Sequence, residues 1–243
     1  MRIALAALGF INNDIDYNKK VIINTLEKFS NVDIIVFGES FLQGFDSLKF
    51  NYNEDIKIAV SINSNTIDEI KDACKLYNIA VSFGFFENFE NNIYSSQITI
   101  DSKGNIINIY RRVSIGWKEA YATEEYKEGK SFNVFNFMNK RITIGLCGDL
   151  WYDENIDSIN ELNPDIVLWP VYTDYNYDEW NKKIKYEYLE QANRINAKVL
   201  LVNSYCKNKN DIDIARGGAL YISNNKIIDE VLSGKEDILI VEV

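Results

Sequence analysis

The sequence has no histidine among its 243 residues. Histidine is the usual general base of enzymes and the most common metal ligand. Its absence excludes catalytic triads that contain histidine, cysteine–histidine pairs and zinc sites that need an imidazole. A general base in this protein must therefore be a carboxylate, a lysine or a tyrosine.

Cysteine is scarce, with only Cys74, Cys147 and Cys206. An odd number in a chain of this length does not indicate a disulfide framework, so we expect a reducing, cytoplasmic setting. A metal site made of cysteines alone would need a fourth ligand and closer spacing. No glycine-rich motif follows a strand in the pattern that holds nucleotide phosphates. We therefore expect neither a metal nor a cofactor.

The chain also lacks a long apolar run. No stretch approaches the roughly 18–20 apolar residues of a membrane span. Residues 1–10 fit a first strand better than a signal peptide. Basic residues number 26 against 36 acidic ones, which gives a formal charge of −10. Nucleic acids and anionic membranes both need clustered lysine and arginine, so we expect neither as a partner.

Apolar residues, in contrast, are plentiful at 47% of the chain, and aromatic residues make up 13%, enough for a sizeable packed core. Only Pro164 and Pro170 interrupt the sequence, and no Ser/Gly-rich linker marks a boundary, so we expect one domain over residues 1–243. Helical and strand patterns alternate at both ends of the chain, whereas strands follow one another in the middle. This order predicts an α/β (α+β) layered domain with mixed sheets.

The individual elements follow from apolar periodicity. Strands are predicted at 2–8, 33–39, 80–87, 93–101, 106–111, 141–149, 165–171, 199–205, 218–223 and 238–243. Helices are predicted at 17–29 with Asp16 as cap, from a capping box at Thr66 and Glu69, at 155–162 and at 180–196. A polar loop covers 208–213. The long irregular stretch 113–130, rich in aromatic and acidic residues, is expected to be functional.

Cys147 is the first candidate for chemistry. A β-branched apolar run leads to it, and Gly148 and Asp149 follow, so it lies where a buried strand gives way to a polar rim. It is either a buried apolar residue, as most free cysteines are, or a nucleophile at a strand end. The Gly148 N–H could stabilise an oxyanion, or the glycine could only kink the strand. Cys74 lies on the core stripe of a helix, and we consider Cys206 incidental.

Glu39 is the candidate base, because it ends the apolar run 33–39 and no histidine is present. Partial burial would raise the pKa of such a glutamate into the range of a general base, although an exposed strand-end acid is an equal alternative. Two arginines follow a strand, and one of them, Arg112, could hold an oxyanion or a carboxylate. For Arg111 we prefer an ordinary surface role.

Several motifs in order resemble the nitrilase superfamily, also called carbon–nitrogen hydrolases. Residues 37–45 are similar to F-P-E-x-x-L-x-G-[YF], with Gly38 in place of the proline. Residues 83–104 look like the mid-chain block of the family, and residues 147–154 are similar to C-x-D-x-R-[FW]-P-E. Residues 165–170, 192–196 and 217–219 match later landmarks more loosely, so the resemblance covers residues 2–243.

The resemblance implies a four-layer α-β-β-α sandwich with two mixed sheets, a homodimer, and a Glu–Lys–Cys triad. Its roles fall on Glu39 as general base, Cys147 as nucleophile, Asp149 and Glu154 as supporting acids, and Glu124 as a second glutamate, with Glu119 in reserve. Gly148, Trp151 and Tyr172 are assigned to substrate or oxyanion binding.

The lysine motif is where this chain departs from the family. The family pattern Y-[RK]-K-x-H-L reads Y-R-R-V-S-I here, so Arg112 occupies the lysine position and Ser114 the histidine position. Arginine keeps the charge but is longer, planar and forked, so the exchange is not conservative.

Two functions are consistent with these residues. The first is a cysteine-dependent hydrolase of non-peptide C–N bonds, in particular a small-amide amidase that forms a thioester and releases ammonia. The second, motivated by Arg112, is a weak or silent member that binds a small amide or carboxylate. An unrelated doubly wound fold with Cys147 in its core is a third possibility, which a large distance between Glu39 and Cys147 would establish.

Overall fold

Two mixed β-sheets of six strands each form the centre of the described structure, a computed structural model that covers residues 1–208 and 214–243. Within these ranges the strands are Arg2–Ala7 (β1), Gly9–Phe10 (β2), Ile34–Phe37 (β3), Ala80–Phe89 (β4), Asn92–Ile100 (β5), Ile106–Arg111 (β6), Val134–Phe137 (β7), Lys140–Ile144 (β8), Ile166–Val171 (β9), Lys198–Asn203 (β10), Tyr205–Cys206 (β11), Ala219–Ser223 (β12), Lys226–Val231 (β13) and Asp237–Glu242 (β14).

The first sheet has the strand order β14-β1-β3-β4-β5-β6, and the second has the order β13-β12-β10-β9-β8-β7. β1, β3 and β4 are parallel to one another, as are β8, β9 and β10, while the outer strands of both sheets are antiparallel. The short strands β2 and β11 form a separate parallel pair.

Helices cover the outer face of each sheet. They are Ile15–Lys28 (α1), Tyr52–Asp55 (α2), Asn65–Tyr77 (α3), Asp153–Leu162 (α4), Tyr177–Glu179 (α5) and Lys185–Ala192 (α6), with one π-helical turn, Trp180–Ile184, between α5 and α6. Two 3₁₀ turns span Phe45–Ser47 and Cys147–Trp151. None of the helices described in residues 1–208 and 214–243 is long and apolar enough to cross a membrane.

The period-two alternation of the strands produces the four layers. Along β1, Ile3 and Leu5 point into a core between the two sheets, whereas Ala4 and Ala6 pack toward α1 and α3. A third core, between the second sheet and α4 and α6, contains Trp169. The strands of both sheets are therefore buried on two faces, and the predicted α-β-β-α sandwich is confirmed.

The two predicted helix caps were each wrong by two residues. α1 begins after Asp14, whose carboxylate accepts from the Tyr17 N–H at 2.9 Å, while Asp16 lies in the first turn. α3 begins after Ser64, so Thr66 is inside the helix. The helix predicted at 180–196 ends at Ala192 and contains the π-helical turn. β2, β7 and β13 were not predicted. Apart from Asn208, the polar loop predicted at 208–213 lies outside the described residues.

Candidate active site

Cys147 lies in a strained turn at the carboxyl end of the second sheet. The strand predicted to continue to residue 149 ends at Ile144, and Cys147 opens a 3₁₀ turn with φ +42°. A non-glycine residue in the left-handed region costs about 1–2 kcal/mol, and such strain is concentrated at functional sites. The indole N–H of Trp169 donates to the Cys147 carbonyl at 2.9 Å, and the thiol donates to the Tyr172 carbonyl at 3.5 Å.

Asp149 connects this turn to the segment that follows β6 through hydrogen bonds. Its carboxylate is fully buried. One oxygen accepts from the backbone N–H groups of Val113 and Ser114 at 3.2 and 2.8 Å. The other accepts from the Tyr110 hydroxyl at 2.6 Å and the Leu146 N–H at 2.8 Å. Burial raises the pKa of Asp149, and the donors on both oxygens limit that rise. Asp149 therefore joins the backbone beside Arg112 to the backbone beside Cys147.

Glu39 follows β3 and is fully buried, so the exposed alternative is excluded. Its Oε1 accepts from Arg112 Nη1 at 3.0 Å and from the Ser95 hydroxyl at 3.1 Å. Its Oε2 is buried and has no hydrogen-bond donor in the described part of the chain. Oε1 is therefore held by a cation and Oε2 is not, and Glu39 also interacts with Cys147.

Two glycines allow the chain to pack this closely around Glu39. The Gly38 N–H donates to the Ser204 hydroxyl at 3.1 Å, a bond that the proline of the family pattern could not form. A Cβ at Gly84 of β4 would lie 2.2 Å from the Ser40 nitrogen and 2.7 Å from Glu39 Cα. Any larger residue at position 84 would therefore push β4 away from the Glu39 backbone.

Arg112 points into the protein, not outward. It is 4% exposed, and besides Glu39 it donates from Nε to the Ser114 hydroxyl at 2.9 Å and from Nη2 to the Ile115 carbonyl at 3.4 Å. Burial disfavours the charged guanidinium, but the negative charges of Glu39 and Asp149, and that of Cys147 once it is ionised, outweigh it and raise the pKa of Arg112. The side chain is therefore a permanent buried cation that is held from several sides.

The Cys147 thiol is protonated at neutral pH. Burial raises its pKa to about 12, and the charge of Glu39 adds to this effect, while Arg112 opposes it. An ordinary free thiol has a pKa of about 8.5. The sulfur therefore needs a base to become a nucleophile, and Glu39 is adjacent. We call these three residues the Glu39–Arg112–Cys147 cluster.

The residues assigned to substrate binding lie around this cluster. A Cβ at Gly148 would lie 2.4 Å from Arg112 Nη2, so only glycine lets the guanidinium approach the turn this closely. The Tyr172 carbonyl accepts from Cys147, while its hydroxyl donates to Asp46 and its ring stacks on Phe45 at 4.6 Å. Trp151 is 42% exposed and packs edge-on against Tyr188, with ring centroids 5.0 Å apart.

The remaining predicted acids are at the surface. Glu124 and its reserve Glu119 are both exposed in the 113–130 segment, and no hydrogen bond or ion pair of the described residues joins either one to the Glu39–Arg112–Cys147 cluster. Glu154 is exposed in the first turn of α4. The structure does not bring these three to the cysteine, and the role of Glu124 in catalysis stays a prediction.

Two contacts escaped the sequence analysis. The Ser95 hydroxyl donates to Glu39. The sequence signal for this contact was a run of polar residues in a strand: Ser95, Ser96, Gln97 and Thr99 of β5 are all buried. Arg111 is not an ordinary surface residue. Its guanidinium binds both oxygens of fully buried Glu87 at 2.7 and 2.8 Å.

No group of three or more Cys, Asp or Glu side chains within residues 1–208 and 214–243 is arranged to hold a metal ion.

The α-β-β-α sandwich brings a carboxylate, a buried cation and a strained cysteine together at one point. The profile of the family described as "Carbon-nitrogen hydrolase" matches residues 2–212, and the chain belongs to that family. It is therefore a hydrolase of C–N bonds, with amidase-like relatives.

Similar proteins extend over the full length of the chain. A citrullinase of Francisella tularensis is 24% identical over 98% of this chain and 87% of its own length. A glutamine-dependent NAD⁺ synthetase of Acinetobacter baumannii superimposes with a TM-score of 0.81 at 20% identity, over 98% of this chain but only 44% of that protein. A variant of an amidase from Nesterenkonia sp. AN1, with acrylamide added at its active site cysteine, gives a TM-score of 0.79 at 14% identity, over 100% and 93% of the two chains.

Proposed function

We propose that the protein is an amidase that hydrolyses small amides through a thioester on Cys147 and releases ammonia. The observation that carries the proposal is the Glu39–Arg112–Cys147 cluster, in which a buried carboxylate and a buried cation meet a thiol that is protonated at rest. A citrullinase and an amidase among the similar proteins support cleavage of an amide or ureido C–N bond.

The first step transfers the thiol proton to Glu39 while the sulfur attacks the carbonyl carbon of the amide. Because the pKa of Cys147 is about 12, sulfur and base must act together in this step. The carbonyl oxygen becomes an oxyanion, which the Arg112 guanidinium and the Gly148 N–H are proposed to stabilise. Arg112 stays charged throughout, because its pKa is raised.

The second step breaks the C–N bond. The leaving nitrogen takes the proton from Glu39 and departs as ammonia, which leaves the acyl group on sulfur as a thioester. Water then attacks the thioester and gives a proton to Glu39. When the C–S bond breaks, Glu39 returns that proton to the sulfur, and the carboxylic acid leaves. Protons and charges balance over the cycle without a cofactor.

Arg112 also motivates the alternative, a silent protein that binds a small amide or carboxylate. Its buried position against Glu39 favours the enzyme, since the cation is at the carboxylate and the Gly148 turn where an oxyanion would form.

The test measures ammonia released from a panel of primary amides and ureido compounds by the wild type, Cys147→Ala and Glu39→Gln. We expect release from at least one compound, and its loss in both variants. Arg194→Gln is the control for a lost surface charge, because the one ion pair of Arg194 among the described residues is with exposed Asp153. An absence of Cys147-dependent release from the whole panel would contradict the amidase and support the silent binding protein.

A further inference from the structure

A cavity of about 400 Å³ lies at the loop that follows β9. We call it the distal cavity, and it is lined by Asp174, Tyr175, Asn176, Tyr177, Tyr205 and Arg216.

The distal cavity is within reach of the reacting sulfur. Asp174 is two residues beyond Tyr172, whose carbonyl accepts from Cys147 at 3.5 Å, and two residues span at most about 7 Å. Burial raises the pKa of Tyr175, and the nearby acidic groups of Glu187, Asp174 and Cys147 raise it further, so Tyr175 lies in the same electrostatic environment as Cys147. The loop that follows β9 therefore leads from the Cys147 thiol to the wall of the distal cavity.

The backbone of Arg216 is held in place, but its guanidinium has no charged partner among the described residues. Its carbonyl accepts from the Gly234 N–H at 2.7 Å and the Ser233 hydroxyl at 3.1 Å, and its backbone bridges to Tyr205. Among the described residues, its partly buried guanidinium forms no ion pair and no hydrogen bond. A guanidinium with five donors in this position is suited to a carboxylate, which it can bind through two parallel hydrogen bonds.

Asp174 supplies the opposite charge on the same wall. Its carboxylate likewise forms no ion pair and no hydrogen bond with the described residues, and it does not pair with Arg216. Two opposite charges that face one cavity without neutralising each other suit a ligand that carries both. The formal charge of −10 repels simple anions, whereas a zwitterion has no net charge to repel.

We propose that the distal cavity binds the far end of the substrate, and that the substrate is an amino acid whose side chain ends in an amide or ureido group. Arg216 holds the α-carboxylate, Asp174 holds the α-ammonium group, and the tyrosines contact the carbon chain. The proposal rests on the function proposed above for Cys147, and it makes Arg216 and Asp174 the residues that select the substrate.

The test uses three primary amides with the same carbon chain. L-glutamine carries both charges, glutaramate carries only the carboxylate, and pentanamide carries neither, while L-citrulline serves as the ureido probe. We expect kcat/KM to be highest for a zwitterion. Arg216→Gln should lower kcat/KM at least about tenfold for both carboxylate-bearing amides relative to pentanamide. Asp174→Asn should lower it for L-glutamine but not for glutaramate. If the ratios of kcat/KM among the three amides are the same in the wild type, Arg216→Gln and Asp174→Asn, the proposal is wrong.

A binding measurement separates this proposal from the function itself. The Cys147→Ala protein is titrated calorimetrically with the same probes, with and without Arg216→Gln, Arg216→Lys or Asp174→Asn. We expect Arg216→Gln to weaken binding of the zwitterion at least about tenfold, and Arg216→Lys to weaken it less because it keeps the charge. If the Cys147→Ala protein binds no zwitterionic probe, the distal cavity proposal is wrong. Binding without ammonia release from the wild type would instead contradict only the amidase.

Discussion

At the scale of single residues, Arg112 and Ser114 form a matched pair. The small serine leaves room for the guanidinium and accepts from its Nε at 2.9 Å, while Nη1 reaches Glu39. In the family pattern these positions are lysine and histidine. A lysine has one nitrogen on a flexible stem. It cannot bind the Ser114 hydroxyl oxygen and Glu39 Oε1 in the fixed geometry of a guanidinium. We therefore expect the two replacements to compensate for each other.

Arg112→Lys should lower kcat/KM for amide hydrolysis about 10- to 100-fold, the effect of losing one hydrogen bond to a charged group. The double variant Arg112→Lys with Ser114→His should recover part of the loss, because the imidazole refills the space. Steady-state ammonia release measures both effects, with Arg194→Lys as the surface control. Faster turnover in Arg112→Lys alone would show that the natural arginine is a handicap.

The pKa of Cys147 gives a second prediction at this scale. Iodoacetamide reacts with thiolates, so its rate on Cys147 should still rise with pH at pH 10, below the pKa of about 12. Glu39→Gln removes a charge that raises this pKa and should move the profile to lower pH. Peptide mass spectrometry follows each cysteine separately, so Cys74 and Cys206 serve as internal references. A plateau near pH 9 in the wild type would contradict the account.

At the scale of elements, Asp149 connects two loops that carry chemistry. Its four donors come from β6, from the segment after it and from the turn before Cys147. The turn at Cys147 therefore depends on the Asp149 carboxylate. This group is close in sequence to the cysteine, but it also binds residues 110–114, which are distant in the chain.

Asp149→Asn should lower the free energy of unfolding by about 1–3 kcal/mol, because at least one buried N–H would lose its acceptor. Urea denaturation measures this change. Asp153→Asn, at an exposed acid four residues further on, should change stability much less, since surface ion pairs contribute little. Equal stability of Asp149→Asn and the wild type would mean that the carboxylate does not hold these donors.

The sequence best predicted the elements whose structure follows from their own residues. The apolar runs of β1, β3, β9 and β10 identified strands buried on both faces, because such runs have few alternative structures. β13 was not predicted because none of its six residues is buried and three of them are charged. The cap of α1 was misplaced because Asp14 and Asp16 differ only in backbone geometry, which the sequence does not specify.

At the scale of the whole molecule, the contacts that define the site are long-range. Glu39 and Arg112 are 73 residues apart, and Tyr110 and Asp149 are 39 apart. The family motifs predicted which side chains converge, and the position of Arg112 could be settled only by the packing of two sheets. Arg216 was not found by motif analysis, because a charge without an ion-pair partner among the described residues is recognised only once its surroundings are known. The homodimer remains a prediction.

The most direct test of the central claim intercepts the thioester. Hydroxylamine competes with water for an acyl group on sulfur and would convert it to a hydroxamic acid. For an amide that the wild type hydrolyses, we expect hydroxamate to form alongside ammonia, and both products to disappear in Cys147→Ala. Ammonia release without any hydroxamate, or hydroxamate formation that persists in Cys147→Ala, would contradict an acyl-enzyme on Cys147.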